Sequence, residues 1–293
     1  MKDLSARLAV AAVGIPAVLA LLYVGGWVLG VPLALVAAQG AREVYRFSQA
    51  KGVRPFGWMG MTVAAAVVLA SVARPDFPAL APWVLGLLGG LAVGSLKLAL
   101  VTRGPMGSPL GSVSITLFGA VYAGLPLAFI SLLHAMPTRM DWGELRPSPW
   151  MGLMVVALPL SATWIGDAAA YFAGSAWGKK KLFPSVSPGK SWVGAWAGTL
   201  GAAAAAAGWL IVVRPFLPGL PVAGVGVAAV IGAMLGVAAI VGDLAESLLK
   251  REAGMKDSGH LFPGHGGVLD RLDALVFTLP TAYILLWVAE YFA

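Results

Sequence analysis

Residues 247–273, SLLKREAGMKDSGHLFPGHGGVLDRLD, hold four acidic, four basic and two histidine side chains between two long apolar segments. In a chain that is 11% charged and 59% hydrophobic, such a cluster beside a membrane is costly unless it binds something. The mixture suits a phosphorylated ligand with a hard cation. Carboxylates serve the cation, Lys and Arg serve phosphates, and glycines permit close backbone approach.

Spacing sorts these groups into stripes. Asp243, Glu246 and Lys250 fall at i, i+3 and i+7, so a helix would align them, with Ser247 adjacent. Asp243 follows about 20 apolar residues without a polar break, which argues for a protected site. Asp270 and Asp273 are again three apart and share a face, while Arg271 points elsewhere. Between the stripes, Gly264, Gly266 and Gly267 would let amides approach phosphate oxygens. His260 and His265 are single loop histidines without the partner spacing of a zinc site; His265 reads as a phosphate donor or proton shuttle.

Two further groups lie upstream. Asp167 sits within the apolar run ATWIGDAAAYFAG, with Tyr171 one turn on, and a carboxylate at that depth should face a bundle interior or a wet cavity. Lys190 is framed by Ser187, Pro188, Gly189 and Ser191 directly before another apolar segment, an arrangement like an anion site at a helix start. If Asp167, Asp243 and Asp270 oppose one another, they could hold Mg²⁺ completed by substrate phosphates and water. A second cation would suit in-line displacement at phosphorus. Lys190, Lys250, Arg251, Lys256 and Arg271 would stabilise charge on the reacting phosphates. Membrane depth suggests a lipid as one substrate, and the basic mouth a polyphosphate as the other.

The elements that position these residues are apolar helices. Mean hydropathy is +0.85, and windows of about 20 apolar residues, enough to cross roughly 30 Å of hydrocarbon, recur throughout. Nine are expected, near 7–24, 27–44, 57–73, 80–100, 111–134, 150–174, 192–213, 222–246 and 268–291. Each must be helical because lipid offers backbone groups no partner. The first has a basic start, Lys2 and Arg7, but no small-residue cleavage site follows, so it reads as an uncleaved span. With nine spans, sixteen Lys and Arg fall on the side of the N-terminus and four on the other. That bias places the N-terminus in the cytoplasm and the C-terminus outside.

The expected fold is therefore an all-α polytopic integral membrane protein. Residues 1–110 read as scaffold helices, and 111–293 as catalytic helices with cytoplasmic loops 175–191 and 247–267. Small-residue runs such as GTLGAAAAAAG (198–208) read as helix-packing faces. The net charge of +7 follows from topology and attraction to anionic lipid. Nucleic-acid binding is not expected, since no basic patch is interleaved with exposed aromatics on a soluble module. The absence of Cys excludes disulfides, thiolate catalysis and zinc–sulfur sites.

The run S-x-x-K-R-x4-K-D-x-G-x2-F-P-G-H-G-G-x-x-D-R-x-D at 247–273 resembles the signature of phosphatidate cytidylyltransferases (CDP-diacylglycerol synthases). G-D-x3-Y-x2-G at 166–174, S-P-x-K-S at 187–191 and LFGAVYAGLPLAFI at 117–130 resemble the family's upstream segments. The resemblance covers roughly residues 110–291. It implies Mg²⁺-dependent reaction of CTP with phosphatidic acid in the lipid bilayer, giving CDP-diacylglycerol and pyrophosphate. It also implies Asp243 and Asp270 as metal ligands with Asp167 and Glu246 close by, and Asp273 in the catalytic set. Lys190, Lys250, Arg251 and Lys256 would meet the triphosphate or lipid phosphate, with Ser187, Ser191, Asp257, Arg271 and Tyr171 beside them. His265 and its glycines would line the nucleotide pocket. A homodimer in a bacterial inner membrane, with its site facing the cytoplasm, is the expected setting.

Two positions depart from the family pattern: Val193 stands where an acid is usual and Ser175 where a basic residue is usual. Rival readings are a CTP-dependent lipid kinase, a cytidylyltransferase for another lipid phosphate, and, from another class, an ion-coupled transporter. The transporter predicts broken helices in two repeated halves, whereas the acidic sites here cluster without a counterpart in the first third.

Overall fold

The computed structural model describes residues 2–139, 148–259, 261 and 266–291. Helices occupy each apolar window: α1 (Lys2–Val24), α2 (Gly26–Ala50), α3 (Gly57–Ala73), α4 (Phe77–Thr102), α5 (Pro109–Ala135), α6 (Pro149–Trp177), α7 (Trp192–Val213), α8 (Val225–Glu252), α9 (Leu269–Leu272) and α10 (Leu275–Tyr291). Among the described residues six helical stretches are long and apolar enough to cross a membrane: Phe77–Thr102, Pro109–Arg139, Pro149–Trp177, Trp192–Val213, Val225–Glu252 and Leu269–Glu290. The protein is thus a helical integral membrane protein. Of the other expected spans, α3 has 17 residues, about 25 Å at 1.5 Å per residue, the short end of what crosses a membrane. The second half of α2 carries Gln39, Arg42, Glu43 and Arg46, which interrupt its apolar run.

One segment is not helical. Residues 175–177 still belong to α6, and beyond it the chain turns back on itself in an antiparallel hairpin. Its strands are β1 (Lys181–Phe183) and β2 (Ser187–Ser191), with Lys181 opposite Ser191 and Phe183 opposite Ser187. The fold therefore adds a small two-stranded element to the expected all-α architecture. The loop expected at 247–267 likewise begins later, because α8 runs on to Glu252.

The chain forms two compact units, one of residues 1–132 and 249–272, the other of 133–248 and 273–293. Residues 249–272 pack with the first 132 residues. In the first unit the Tyr45 hydroxyl donates to the Thr116 carbonyl at 2.8 Å, and its ring fills the space that a Cβ at Gly60 or Gly119 would need. That interlock brings α2, α3 and α5 together. In the second unit small residues let α6, α7 and α8 approach closely. A Cβ at Gly201 would lie 2.7 Å from the Ala169 Cβ, and one at Gly236 2.9 Å from the Thr199 Cα. Trp209 Nε1 on α7 donates to the Met154 carbonyl of α6 at 2.7 Å, and Thr163 meets Thr278 of α10 at 3.3 Å.

Candidate active site

Lys190 owes its position to the hairpin and to the start of α7. Ser191, buried, accepts a hydrogen bond from the Gly194 amide at 3.1 Å and so caps α7, with Lys190 just before it near the end of β2. Its Nζ reaches Asp243 Oδ2 of α8 at 2.5 Å, with the two side chains 25% and 33% exposed. Ser247, one turn on, donates to Asp243 Oδ1 at 3.3 Å. Lys190 and Asp243 line a cavity of about 540 Å³, together with Asp167, Tyr171, Ser175 and Ser191. That volume falls within the roughly 300–1,000 Å³ of small-molecule sites. Asp167 is exposed to this cavity, so the carboxylate in mid-helix finds the polar space its depth requires. Two carboxylates and two ammonium groups, those of Lys181 and Lys190, in one cavity can bind a cation and a phosphate side by side. Ser187 takes part in the hairpin, and Glu246 is completely buried.

A second polar centre forms within the first unit. Lys250, in the last turn of α8, pairs with Asp270 Oδ1 at 2.7 Å, and these side chains are 14% and 7% exposed. The other oxygen, Oδ2, accepts from the amides of Ser258 and Gly267, both at 2.8 Å, and from the Ser258 hydroxyl at 2.9 Å. Gly266 has φ of +79°, and a Cβ there would overlap Asp270 Oδ2, so both conformation and space demand glycine. Gly266 and Gly267, two of the glycines expected to admit phosphate, thus admit the chain's own carboxylate. Asp273 Oδ1 accepts from the Ala274 amide at 2.7 Å, just ahead of α10 in the second unit. Arg251, Lys256, Asp257 and Arg271 are exposed. Gly264 and His265 lie outside the described residues, as does His260.

The sequence reading missed Glu43. It is fully buried, and its carboxylate accepts from the Val268 amide at 3.0 Å, the Leu269 amide at 2.9 Å, the Ser258 hydroxyl at 2.8 Å and the Gln39 amide at 3.1 Å. An ionisable residue inside an apolar window is itself a signal, and this one was overlooked between the topology-setting Arg42 and Arg46.

Among the described residues no three Asp, Glu or His side chains gather to hold a metal ion unaided. Mg²⁺ does not require that, because it commonly takes one or two carboxylates and fills its shell with water and phosphate oxygens. Asp167 and Asp243, both lining the cavity, fit such an ion by donor chemistry.

Fold and site together define a membrane-embedded protein equipped to handle phosphates beside a lipid phase. The chain belongs to the cytidylyltransferase family, whose sequence profile matches residues 5–289. It is similar to the phosphatidate cytidylyltransferase of Synechocystis, 31% identical over 94% of each chain. A protein of the same name from Brucella suis is 34% identical over 88% of this chain and 85% of its own. Phosphatidate cytidylyltransferase 5, chloroplastic, from Arabidopsis thaliana is 31% identical over 88% of this chain and 66% of its own.

Proposed function

We propose that this protein transfers the cytidylyl group of CTP to phosphatidic acid, releasing pyrophosphate and CDP-diacylglycerol for phospholipid synthesis. The observation that carries the reading is the Lys190–Asp243 pair facing Asp167 in one cavity of a membrane protein whose relatives bear the phosphatidate cytidylyltransferase name. A phosphatidate oxygen attacks the α-phosphorus of CTP. The new P–O bond forms as the bond to the β-phosphate oxygen breaks, and its electron pair leaves with pyrophosphate. The acceptor is already anionic, so no strong general base is needed. The obstacle is repulsion between two anions, and fixed cationic groups lower it.

Lys190 places an ammonium in the cavity, and Asp243 with the Ser191 cap fixes where that ammonium points. Mg²⁺ would be held by Asp243 and Asp167 and would supply charge neutralisation of the reacting phosphates; Asp270 is proposed as a further catalytic carboxylate. Lys250, Arg251, Lys256 and Arg271 are proposed to meet phosphate oxygens. The proposed setting is nine spans, N-terminus cytoplasmic, a homodimer in a bacterial inner membrane, and a site opening to the cytoplasm.

Purified protein given labelled CTP and Mg²⁺ should release pyrophosphate when phosphatidic acid is present and not when it is replaced by diacylglycerol. EDTA should stop the reaction and added Mg²⁺ restore it. Phosphorylation of diacylglycerol, or no nucleotide consumption with either lipid, would overturn the assignment.

A further inference from the structure

Glu43 is a fully buried carboxylate to which the proposed chemistry gives no part, and three of its four hydrogen-bond partners lead to Asp270. Two of its four hydrogen bonds come from Val268 and Leu269, the residues directly before Asp270. A third comes from Ser258, whose hydroxyl also lies 2.9 Å from Asp270 Oδ2 and accepts from the Asp270 amide at 3.3 Å. A serine hydroxyl has one hydrogen, so it links the two carboxylates while serving one at a time. The surrounding glycines fit the same purpose. A Cβ at Gly259 would lie 2.8 Å from Glu43 Oε1, and one at Gly267 2.5 Å from Glu43 Oε2. Gly259 and Gly267 thus leave room for this carboxylate and none for a side chain of their own.

We propose that Glu43 is a positioning residue. It clamps the chain at Ser258, Val268 and Leu269 so that Asp270 is held with one oxygen toward Lys250 and the other toward the amides of Ser258 and Gly267. Its complete burial, its four satisfied bonds and the glycines without room for a side chain all belong to the first unit. A carboxylate so enclosed cannot itself touch substrate, so its effect must pass through Asp270. The consequence for catalysis rests on the proposed function, in which Asp270 belongs to the reaction centre; the clamp itself does not.

The test pairs amide hydrogen exchange with pyrophosphate release in Glu43→Gln, Glu43→Asp and Ser258→Ala. Glu43→Gln replaces one acceptor oxygen with a donor and sets it against an incoming N–H. Exchange across 258–270 should rise by about tenfold or more while α3 and α7 stay at wild-type protection. Turnover at saturating CTP should fall about 10- to 100-fold, as when groups that orient a catalytic ligand are removed. Glu43→Asp, which keeps the charge, should recover part of both. Ser258→Ala removes the link between the carboxylates and the acceptor of the Asp270 amide, and should lower turnover with the rest of the chain unchanged.

Unaltered exchange at 258–270 in Glu43→Gln sinks the clamp, and raised exchange there with normal turnover sinks its catalytic meaning. Should Glu43→Gln unfold the whole chain, Ser258→Ala decides: normal turnover in that variant overturns the proposal. A wild-type protein inert toward CTP and phosphatidic acid overturns the proposed function instead, and the exchange data still judge the clamp.

Discussion

Asp270→Asn and Asp243→Asn should both stop the reaction, yet they should differ in what they do to the fold. At Asp270 the oxygen facing Ser258 and Gly267 can be kept by the amide, so those three hydrogen bonds survive. The other side changes from an acceptor of the Lys250 ammonium to a donor facing a donor. A hydrogen bond to a charged group contributes about 1.5–3 kcal/mol. Lys250 is 14% exposed, so it regains only partial hydration, and a loss of about 2 kcal/mol is expected. At 1.36 kcal/mol per tenfold, that is about 30-fold in the folding equilibrium. At Asp243 the pair with Lys190 is 25% and 33% exposed, and such pairs contribute about 0–1 kcal/mol.

Thermal unfolding and pyrophosphate release, measured in the same detergent, separate the two effects. Both variants should lose more than about 100-fold in turnover, the scale of a lost charge-stabilising group. Only Asp270→Asn should lower the midpoint clearly. Equal stability of the two variants would refute the energetic reasoning, and near-normal turnover in Asp243→Asn would remove the cavity from the reaction.

Gly232→Val should destabilise the second unit by about 1–3 kcal/mol, because even a Cβ there overlaps the Ala202 carbonyl and presses on Ala206, and the thermal midpoint in detergent reads it. Ser191→Ala removes the cap of α7 at a cost of about 1 kcal/mol and loosens Lys190, so KM for the substrates should rise more than kcat falls. Val193→Glu should be tolerated, since the side chain is 38% exposed in the first turn of α7, where a negative charge is favourable by about 0.3–1 kcal/mol. Loss of activity in that variant would show that the turn around Lys190 works differently.

The helices were legible because an apolar window in lipid has one backbone solution, and the windows at 57–73 and 192–213 coincide with α3 and α7. The hairpin was not, since strands of three and five residues, with Pro184 just after β1 and Pro188 within β2, carry no alternation to read. Asp167, Lys190 and Asp243 were found because charges are scarce in apolar sequence and each stands out. Glu43 escaped for a different reason: its partners Ser258 and Leu269 lie 215 and 226 residues away, and no local spacing reports such a pairing. Residues before 110, read as scaffold, therefore supply the carboxylate for which Gly259 and Gly267 leave room.

The hairpin has a bearing on how the protein can be altered. Lys190 is tied to α7 through the very next residue, whereas Pro184 and Ser185 at the bend between the strands face outward. Extra residues added at that bend would leave the ammonium where it is, while a single residue inserted after Lys190 would swing it off target. The bend is thus the place to graft a fluorescent label or an affinity handle that reports on the cavity from a few residues away.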